Sequence, residues 1–283
     1  MCGMKNIVIL YHDDLDGFGA AWAAWKKFGD KADYLAVDHY VDHYNLAPLE
    51  LKDKEIYSLD FCYPKEQTEI LLKNNKKLVV IDHHITNKET IKILKYYVWD
   101  IKRSGCVLSW QYFHPGKKIP KLIGYIEDID LWKFKNKNTR PLTMVLEGLP
   151  YNFKLWNKIA VELENKNKSL VYLKQGKAIV EFIDKAVNII ALNTEKVIFE
   201  KKKALAINSP IFACELGDFF IKKKKSPVAI IWSLRNGKIK VQLRSSKKVD
   251  VSKLAQKYGG GGHKQAAGFI LEIGEKIPWR TIK

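Results

Sequence analysis

Leu78-Val79-Val80-Ile81 is a run of four apolar, mostly β-branched residues that stops on Asp82-His83-His84. A strand without polar alternation is covered on both faces, which points to a parallel sheet flanked by helices. In such sheets ligands gather beyond the carboxyl ends of the strands, where Asp82, His83 and His84 emerge. Taken alone, an Asp-His-His run fits a polar loop better than a site, and the rest of the chain has to carry the functional reading.

The pattern recurs along the chain. Asn6 to Tyr11 reads as a first strand, followed by His12-Asp13-Asp14-Leu15-Asp16-Gly17 and an Ala/Trp-rich helix from about Phe18 to Phe28. Tyr34 to Val37 reads as a second strand, and Asp38 to His43 as a polar surface segment. Glu55 to Leu59 is a third strand ending on Asp60, after which Pro64 opens a helix, a position where proline is tolerated. Tyr96 to Trp99 ends on Asp100, and Arg103-Ser104-Gly105 begins a further helix. Leu122 to Ile126 is apolar at helical spacing and delivers Glu127-Asp128-Ile129-Asp130.

Carboxylates gathered at one sheet edge repel and are costly to bury unless cations hold them. The repetition therefore predicts metal ions. Carboxylates mixed with imidazole favour Mn2+, Fe2+, Co2+ or Zn2+ over an all-oxygen Ca2+ cage. Asp14, Asp16, Asp60, His83 and Asp128, with His12 in reserve, suffice for two ions sharing one bridging carboxylate.

From about Pro141 to Asn193 the periodicity is helical, and beyond Thr194 it gives way to short β-like runs. The expected organisation is a parallel-sheet α/β domain over 1–140, a helical connector over 141–193 and a smaller mixed-sheet α/β domain over 194–283. In the last of these, Val228 to Leu234 and Lys238 to Arg244 flank Arg235-Asn236-Gly237, a hairpin signal. Gly259-Gly260-Gly261-Gly262-His263-Lys264 follows a short helix. Four glycines let a backbone approach an anion closely, and Arg244 can grip a phosphate through two parallel hydrogen bonds.

With 47% hydrophobic and 28% charged residues, the 283-residue chain reads as globular and long enough for two cores. No apolar run approaches membrane-spanning length and no signal-peptide pattern opens the sequence, so a soluble cytoplasmic protein without membrane association is expected. Cys2, Cys62, Cys106 and Cys214 form no Cys-x-x-Cys pair and read as reduced structural thiols. Lys+Arg 49 against Asp+Glu 31 gives a net charge of +18, a field that draws in anionic partners.

Taken together, these motifs resemble the DHH superfamily of phosphoesterases, named for the triplet standing here as Asp82-His83-His84. The likeness runs from residue 11 to about residue 269. His12-x-Asp14-x-Asp16-Gly17 is similar to the family's first motif, Asp60 in Leu59-Asp60-Phe61 to the second, Asp82-His83-His84 to the third and Asp128 in Ile126-Glu127-Asp128 to the fourth. Gly259 to His263 resembles the signature of the DHH-associated C-terminal domain. His12 lies two residues before Asp14, a shorter spacing than in members that cleave short RNAs or pyrophosphate and closer to RecJ-like exonucleases, which have an aspartate there. Asp13 and Asp130 are alternatives to Asp14 and Asp128, set aside because they break the motif register.

The resemblance implies two Mn2+ ions, or Mg2+, Co2+ or other divalent ions in their place. It implies Asp14 and Asp16 on separate metals, Asp60 bridging, and His83 and Asp128 completing the second site. His84 would contact phosphate or orient ligands, with Asp82 supporting it. Arg244, Ser245, Gly260, Gly261, Gly262 and His263 would hold the substrate. The implied activity is hydrolysis of short oligonucleotides or nucleotide phosphodiesters by a two-metal mechanism. A 3′-phosphoadenosine 5′-phosphate phosphatase or a pyrophosphatase or polyphosphatase is the rival reading, and a nucleotide- or nucleic-acid-binding module without catalysis is a rival of another class. A homodimer stays open.

Overall fold

A computed structural model describes residues 4–37 and 50–282. The segment 38–43 and Cys2, both interpreted from sequence, lie outside the described residues. The chain divides into two units, 1–180 and 181–283.

The first unit runs β1 (Ile7–His12), α1 (Leu15–Phe28), β2 (Ala32–Val37), β3 (Glu55–Leu59), α2 (Lys65–Asn74), β4 (Lys77–Asp82), α3 (Lys88–Ile91), β5 (Tyr96–Trp99), α4 (Gly105–Phe113), α5 (Lys121–Asp130), α6 (Thr139–Glu147) and α7 (Phe153–Glu164). The five strands are all parallel, in the order β2-β1-β3-β4-β5. Side chains alternate across the sheet as a period of two requires. Ile9, Tyr11, Tyr57, Leu59, Val79 and Ile81 share one core with Phe18 and Trp22 of α1, Cys106 of α4, Ile123 of α5 and Trp156 of α7. Val8, Leu10, Ile56, Leu78 and Val80 face the opposite core with Leu71 of α2 and Ile91 of α3. Burial on both faces is the reason these strands read as unbroken apolar runs.

The strand order reverses between β1 and β3, which leave the sheet's centre in opposite directions. Crossover connections diverge at such a point and open a crevice beyond the carboxyl ends of the two strands. His12 ends β1, Asp14 and Asp16 follow it, and Asp60 follows β3.

The long helix α8 (Lys166–Ile190) contains the division between the units. The second unit then runs β6 (Glu195–Phe199), β7 (Lys202–Asn208), α9 (Ala213–Asp218), β8 (Val228–Arg235), β9 (Lys238–Ser245), α10 (Val251–Gln256), β10 (Gly261–His263), β11 (Ala266–Glu272) and β12 (Trp279–Thr281). Its seven strands form a mixed sheet in the order β10-β11-β9-β8-β7-β6-β12, with β7 and β8 parallel. Phe199, Ile230, Val241, Leu254 and Phe269 lie in its core. The architecture is therefore α/β with a parallel sheet followed by a mixed one, as the sequence predicts. Among the described residues no helix is long and apolar enough to cross a membrane.

A candidate metal centre at the sheet's carboxyl edge

Asp14 caps α1, its Oδ1 accepting from the Gly17 amide at 2.8 Å. Gly17 presses on the end of β1: a Cβ there would stand 2.0 Å from the carbonyl oxygen of His12, so only glycine lets the helix start this close to its strand. On the other side of Asp14, Oδ2 meets His12 Nδ1 at 2.8 Å.

Asp16 is 3% exposed and turns inward to the start of α4, where Gly105 N and Cys106 N donate to its two oxygens at 2.6 and 3.1 Å. A carboxylate at a helix N-terminus takes up amide protons that the helix leaves over.

Asp60 holds a left-handed backbone (φ 65°), uncommon for a side chain other than glycine, and its amide donates to Ile81 O at 2.7 Å. Its two oxygens are divided. Oδ2 lies 3.6 Å from His12 Nδ1, and Oδ1 lies 3.1 Å from His83 Nε2. His83, 1% exposed, also has Asp16 Oδ2 and Asp130 Oδ2 at 3.7 Å from the same nitrogen.

Among the groups whose donor atoms lie within 4.8 Å of one another, two are candidate ligand sets around Asp60: His12, Asp14 and Asp60, and Asp16, His83 and Asp130. Asp60 belongs to the first and touches the second, the placement a bridging carboxylate needs.

Asp82 is fully buried. Its Oδ1 accepts from the His83 amide (2.7 Å) and the His84 amide (3.2 Å) and lies 2.8 Å from His84 Nδ1, while Oδ2 accepts from Asn87 Nδ2 at 2.6 Å. Its oxygens are spent on fixing the turn and the His84 ring, so any outward role of that ring falls to Nε2. Although burial opposes it, the His84 contact holds the Asp82 carboxyl down at about 2.

The sequence-based expectation for Asp128 differs from what the structure places at the site. Asp128 Oδ1 accepts from Lys135 N (2.9 Å), and Oδ2 accepts from Asn136 N (3.0 Å) and Thr139 Oγ1 (2.5 Å). These bonds anchor the following loop, and Asp130 is the α5 carboxylate that stands beside His83. Residues two apart on a helix differ by about 200° in direction, so only one of the pair can face the sheet. Asp13 is exposed and Asp100 turns back on the Lys102 amide at 2.8 Å.

The electrostatics follow from gathering carboxylates in a buried edge. Burial, with Asp60 and Asp130 nearby, raises the Asp16 carboxyl well above its ordinary value, and burial with the Asp60 and Asp14 charges pushes Asp130 up to about 6. Burial disfavours charge on His12 and His83, yet the surrounding carboxylates outweigh it and raise both imidazoles. Asp60 goes the other way: hydrogen bonds from His12 and His83 overcome its burial and hold it well below the usual range. Protons thus balance part of the cluster's negative charge, and a divalent cation would displace them. Mixed carboxylate and imidazole donors around two adjacent positions fit Mn2+ or a similar divalent ion.

In the second unit, Ala266 of β11 pairs with His263 of β10 on one side and Arg244 of β9 on the other. Directly opposed residues share a sheet face, so His263 and Arg244 stand on one face about 9–10 Å apart with a small side chain between them. Arg244 Nη2 donates to Cys214 Sγ at 2.9 Å, and its stem lies over Gly217, where a Cβ would be 2.4 Å from Arg244 Cγ.

Ser245 is buried and its hydroxyl donates to Val249 O at 2.7 Å, closing the turn toward α10. The glycine run is less open than a free anion loop. Gly259 N and Gly260 N donate to Gln256 O and Ala255 O, while Gly261 and Gly262 enter the edge strand β10. A Cβ on Gly260 would stand 2.0 Å from Gly268 O, so the run is glycine because β11 passes so close.

Residues 6–129 match the model of the DHH family, N-terminal domain, and residues 194–278 match that of the DHHA1 domain. A protein of Acanthamoeba polyphaga mimivirus is 29% identical over 288 residues, which span 93% of this chain and 67% of that one. A 3′,5′-cyclic-nucleotide phosphodiesterase of Helicobacter pylori is 21% identical over 342 residues, 99% of this chain and 97% of the other. Among solved structures, a pGpG-specific phosphodiesterase of Vibrio cholerae superposes with a TM-score of 0.50 at 14% identity, over 95% of this chain and 94% of that one, a likeness of fold. With both domain models matched in order and the aspartates and histidines of the first brought to one sheet edge, the chain belongs to the DHH family of phosphoesterases.

Proposed function

We propose that this DHH-family phosphoesterase hydrolyses phosphodiester bonds in short oligonucleotides or nucleotide phosphodiesters, using two divalent ions of which Mn2+ is the best match to the donors. The observation that carries the reading is Asp60: its oxygens are split between His12 on one side and His83 on the other. Divalent ions held there supply Lewis acidity toward a phosphoryl oxygen and ionise water near neutral pH.

The chain's own residues do the rest. His12, Asp14 and Asp60 are suited to hold one ion, and Asp60, Asp16, His83 and Asp130 the other. The amides of Gly105 and Cys106 keep Asp16 in place. Asp82 fixes the His84 ring so that its Nε2 can donate to a phosphate oxygen or a leaving group. Arg244 and His263, on a common sheet face, are suited to the substrate's terminal phosphate, with edge strand β10 beside them. The family resemblance and the two phosphodiesterases among the similar proteins support a nucleotide substrate.

The test is hydrolysis in Mn2+ of a panel comprising a linear dinucleotide, cyclic mono- and dinucleotides, 3′-phosphoadenosine 5′-phosphate and pyrophosphate, with Asp60→Ala as control. Preferential cleavage of the nucleotide diesters, abolished in the control, is expected. Preferential cleavage of pyrophosphate, or equal activity in Asp60→Ala, would overturn the reading.

A further inference from the structure

On α5, Lys121, Gly124, Tyr125 and Asp128 fall on one face, and they border an open cleft of about 690 Å³ that Lys133, Lys135, Asn136 and Lys137 complete. Resting on the nucleotide reading above, we propose that this cleft binds single-stranded nucleic acid, gripping the strand beyond the bond being cut through lysine contacts to phosphates and a base against Tyr125.

Charge comes first. Two acidic residues border the cleft, and both are occupied: Glu127 takes Arg103 Nε at 2.6 Å, and Asp128 takes the amides of Lys135 and Asn136 and the hydroxyl of Thr139. Lys133 rests on the Lys102 carbonyl, and Lys121 rests on the Leu163 carbonyl with the Glu164 carboxylate 3.8 Å away. Lys135 and Lys137 are exposed and make no side-chain hydrogen bond or ion pair among the described residues. Four lysines therefore border one opening and, among the described residues, Lys133, Lys135 and Lys137 make no ion pair, an arrangement that suits a polyanion.

The loop that carries three of these lysines is also held rigidly. Lys133 N and Phe134 N donate to the Asp128 carbonyl, in addition to the Asp128 carboxylate bonds already given. Trp132 and Phe134 both hold left-handed backbones (φ 52° and 47°), conformations that bulky residues adopt only where surrounding bonds impose them. A solvated lysine loop needs no such anchoring. Tyr125 and Asn136 add a ring and an amide to the cleft, which an inorganic polyphosphate would not use but a base would. The loop begins directly after Asp130, the α5 carboxylate beside His83, so the helix that borders the cleft also reaches the candidate metal centre.

The experiment measures two things on the full chain. Binding of a 5′-fluorescein-labelled 12-nucleotide single-stranded DNA is followed by anisotropy in EDTA across a salt series, and Mn2+-dependent hydrolysis of a dinucleotide is followed in parallel. A Lys133/Lys135/Lys137→Gln variant should weaken 12-mer binding at least tenfold at low salt and lower the salt slope by about 2, because each phosphate that a lysine neutralises on a single strand adds about 0.7 to it. Tyr125→Leu, which keeps an apolar side chain against the core, should weaken binding about fivefold without changing the slope. Dinucleotide kcat/KM should stay within twofold in both. An unchanged slope in the lysine variant, or unchanged affinity in Tyr125→Leu, overturns the proposal. Loss of dinucleotide hydrolysis in step with 12-mer binding overturns it too, since the damage would then lie in the fold or the catalytic edge. Absence of dinucleotide hydrolysis in the parent chain would refute the activity reading alone, because the binding arm decides the cleft by itself.

Discussion

Gly105→Ala isolates the geometry of the candidate metal centre in a single methyl group. Gly105 opens α4, where alanine is ordinarily the better helix former. Here the added Cβ would stand 2.5 Å from Asp60 Oδ1, 2.6 Å from Asp60 Cβ and 2.8 Å from Asp60 Cγ. Carbon pairs are comfortable only at about 3.5–4.0 Å, so a separation of roughly 1 Å must be found. Rotating the carboxylate does not supply it, because the Asp60 Cβ is itself in the way and its backbone is fixed through the bond to Ile81 O. The backbone after β3 has to move, and the oxygens shared between the two ligand sets move with it. Overpacking of this kind costs about 1–3 kcal/mol, offset by at most about 1 kcal/mol from removing a glycine. A 1 Å displacement at reacting groups costs on the order of 100-fold in rate. The expected result is a folded protein, modestly less stable, with kcat on a dinucleotide in saturating Mn2+ down roughly 100-fold and weaker Mn2+ binding by calorimetry. Gly124→Ala is the control: a Cβ there meets nothing within 4 Å, so stability should rise by up to about 1 kcal/mol and dinucleotide turnover should not change. Gly105→Ala with wild-type Mn2+ binding and turnover within threefold of wild type would refute the placement of Asp60.

Asp130→Asn should cut Mn2+ affinity at least tenfold by calorimetry, whereas Asp128→Asn should leave it near wild type and lower stability by about 1–3 kcal/mol by weakening the bonds that anchor the loop; the reverse pattern would restore Asp128 as the ligand. Mn2+ at about 100 times its dissociation constant should stabilise the protein by about 2.7 kcal/mol and raise its Tm by roughly 5–10 °C over EDTA, and Asp60→Ala should abolish most of that rise in differential scanning fluorimetry. Burial pushes the Cys62 thiol up to about 12, and burial with the Asp16 charge raises Cys106 as well. At pH 8 the Cys62 thiolate fraction is about 10⁻⁴, so labelling by a thiol reagent should report both residues only after denaturant is added, and rapid native labelling of either would count against the packing described.

The parallel sheet was legible because its chemistry is local. Strands buried on both faces have to be continuous apolar runs, and β3 stands where its sequence alone places it. The gathering of polar residues after β1, β3 and β4 was legible for the same reason: a polar residue that ends such a run is carried to the sheet's edge whatever the rest of the chain does. β10 and β11 were not legible as strands, because glycine is depleted in strands and here answers a contact 8 residues along the chain, from Gly260 to Gly268 O. Gly105 was hidden in the same way. Its importance lies in Asp60, 45 residues earlier, and nothing in Arg103-Ser104-Gly105 announces that neighbour.

The choice between Asp128 and Asp130 shows where motif register and physical register part. Matching the motif selects the carboxylate at a given distance from its neighbours in sequence, which is Asp128. The helix imposes a different test. Ile123 and Ile126 are among the fully buried residues of α5, and Asp130 stands seven and four positions beyond them, on the stripe that faces the sheet. Asp128 stands seven and four beyond Lys121 and Gly124, on the face that borders the lysine cleft. An apolar stripe that ends in a carboxylate carries that carboxylate to the edge of the core, as β3 and β4 do with Asp60 and Asp82. Applied to α5, that rule places Asp130 beside His83 at the candidate metal centre and leaves Asp128 to anchor the loop, so one helix borders both the candidate site and the cleft through carboxylates two residues apart.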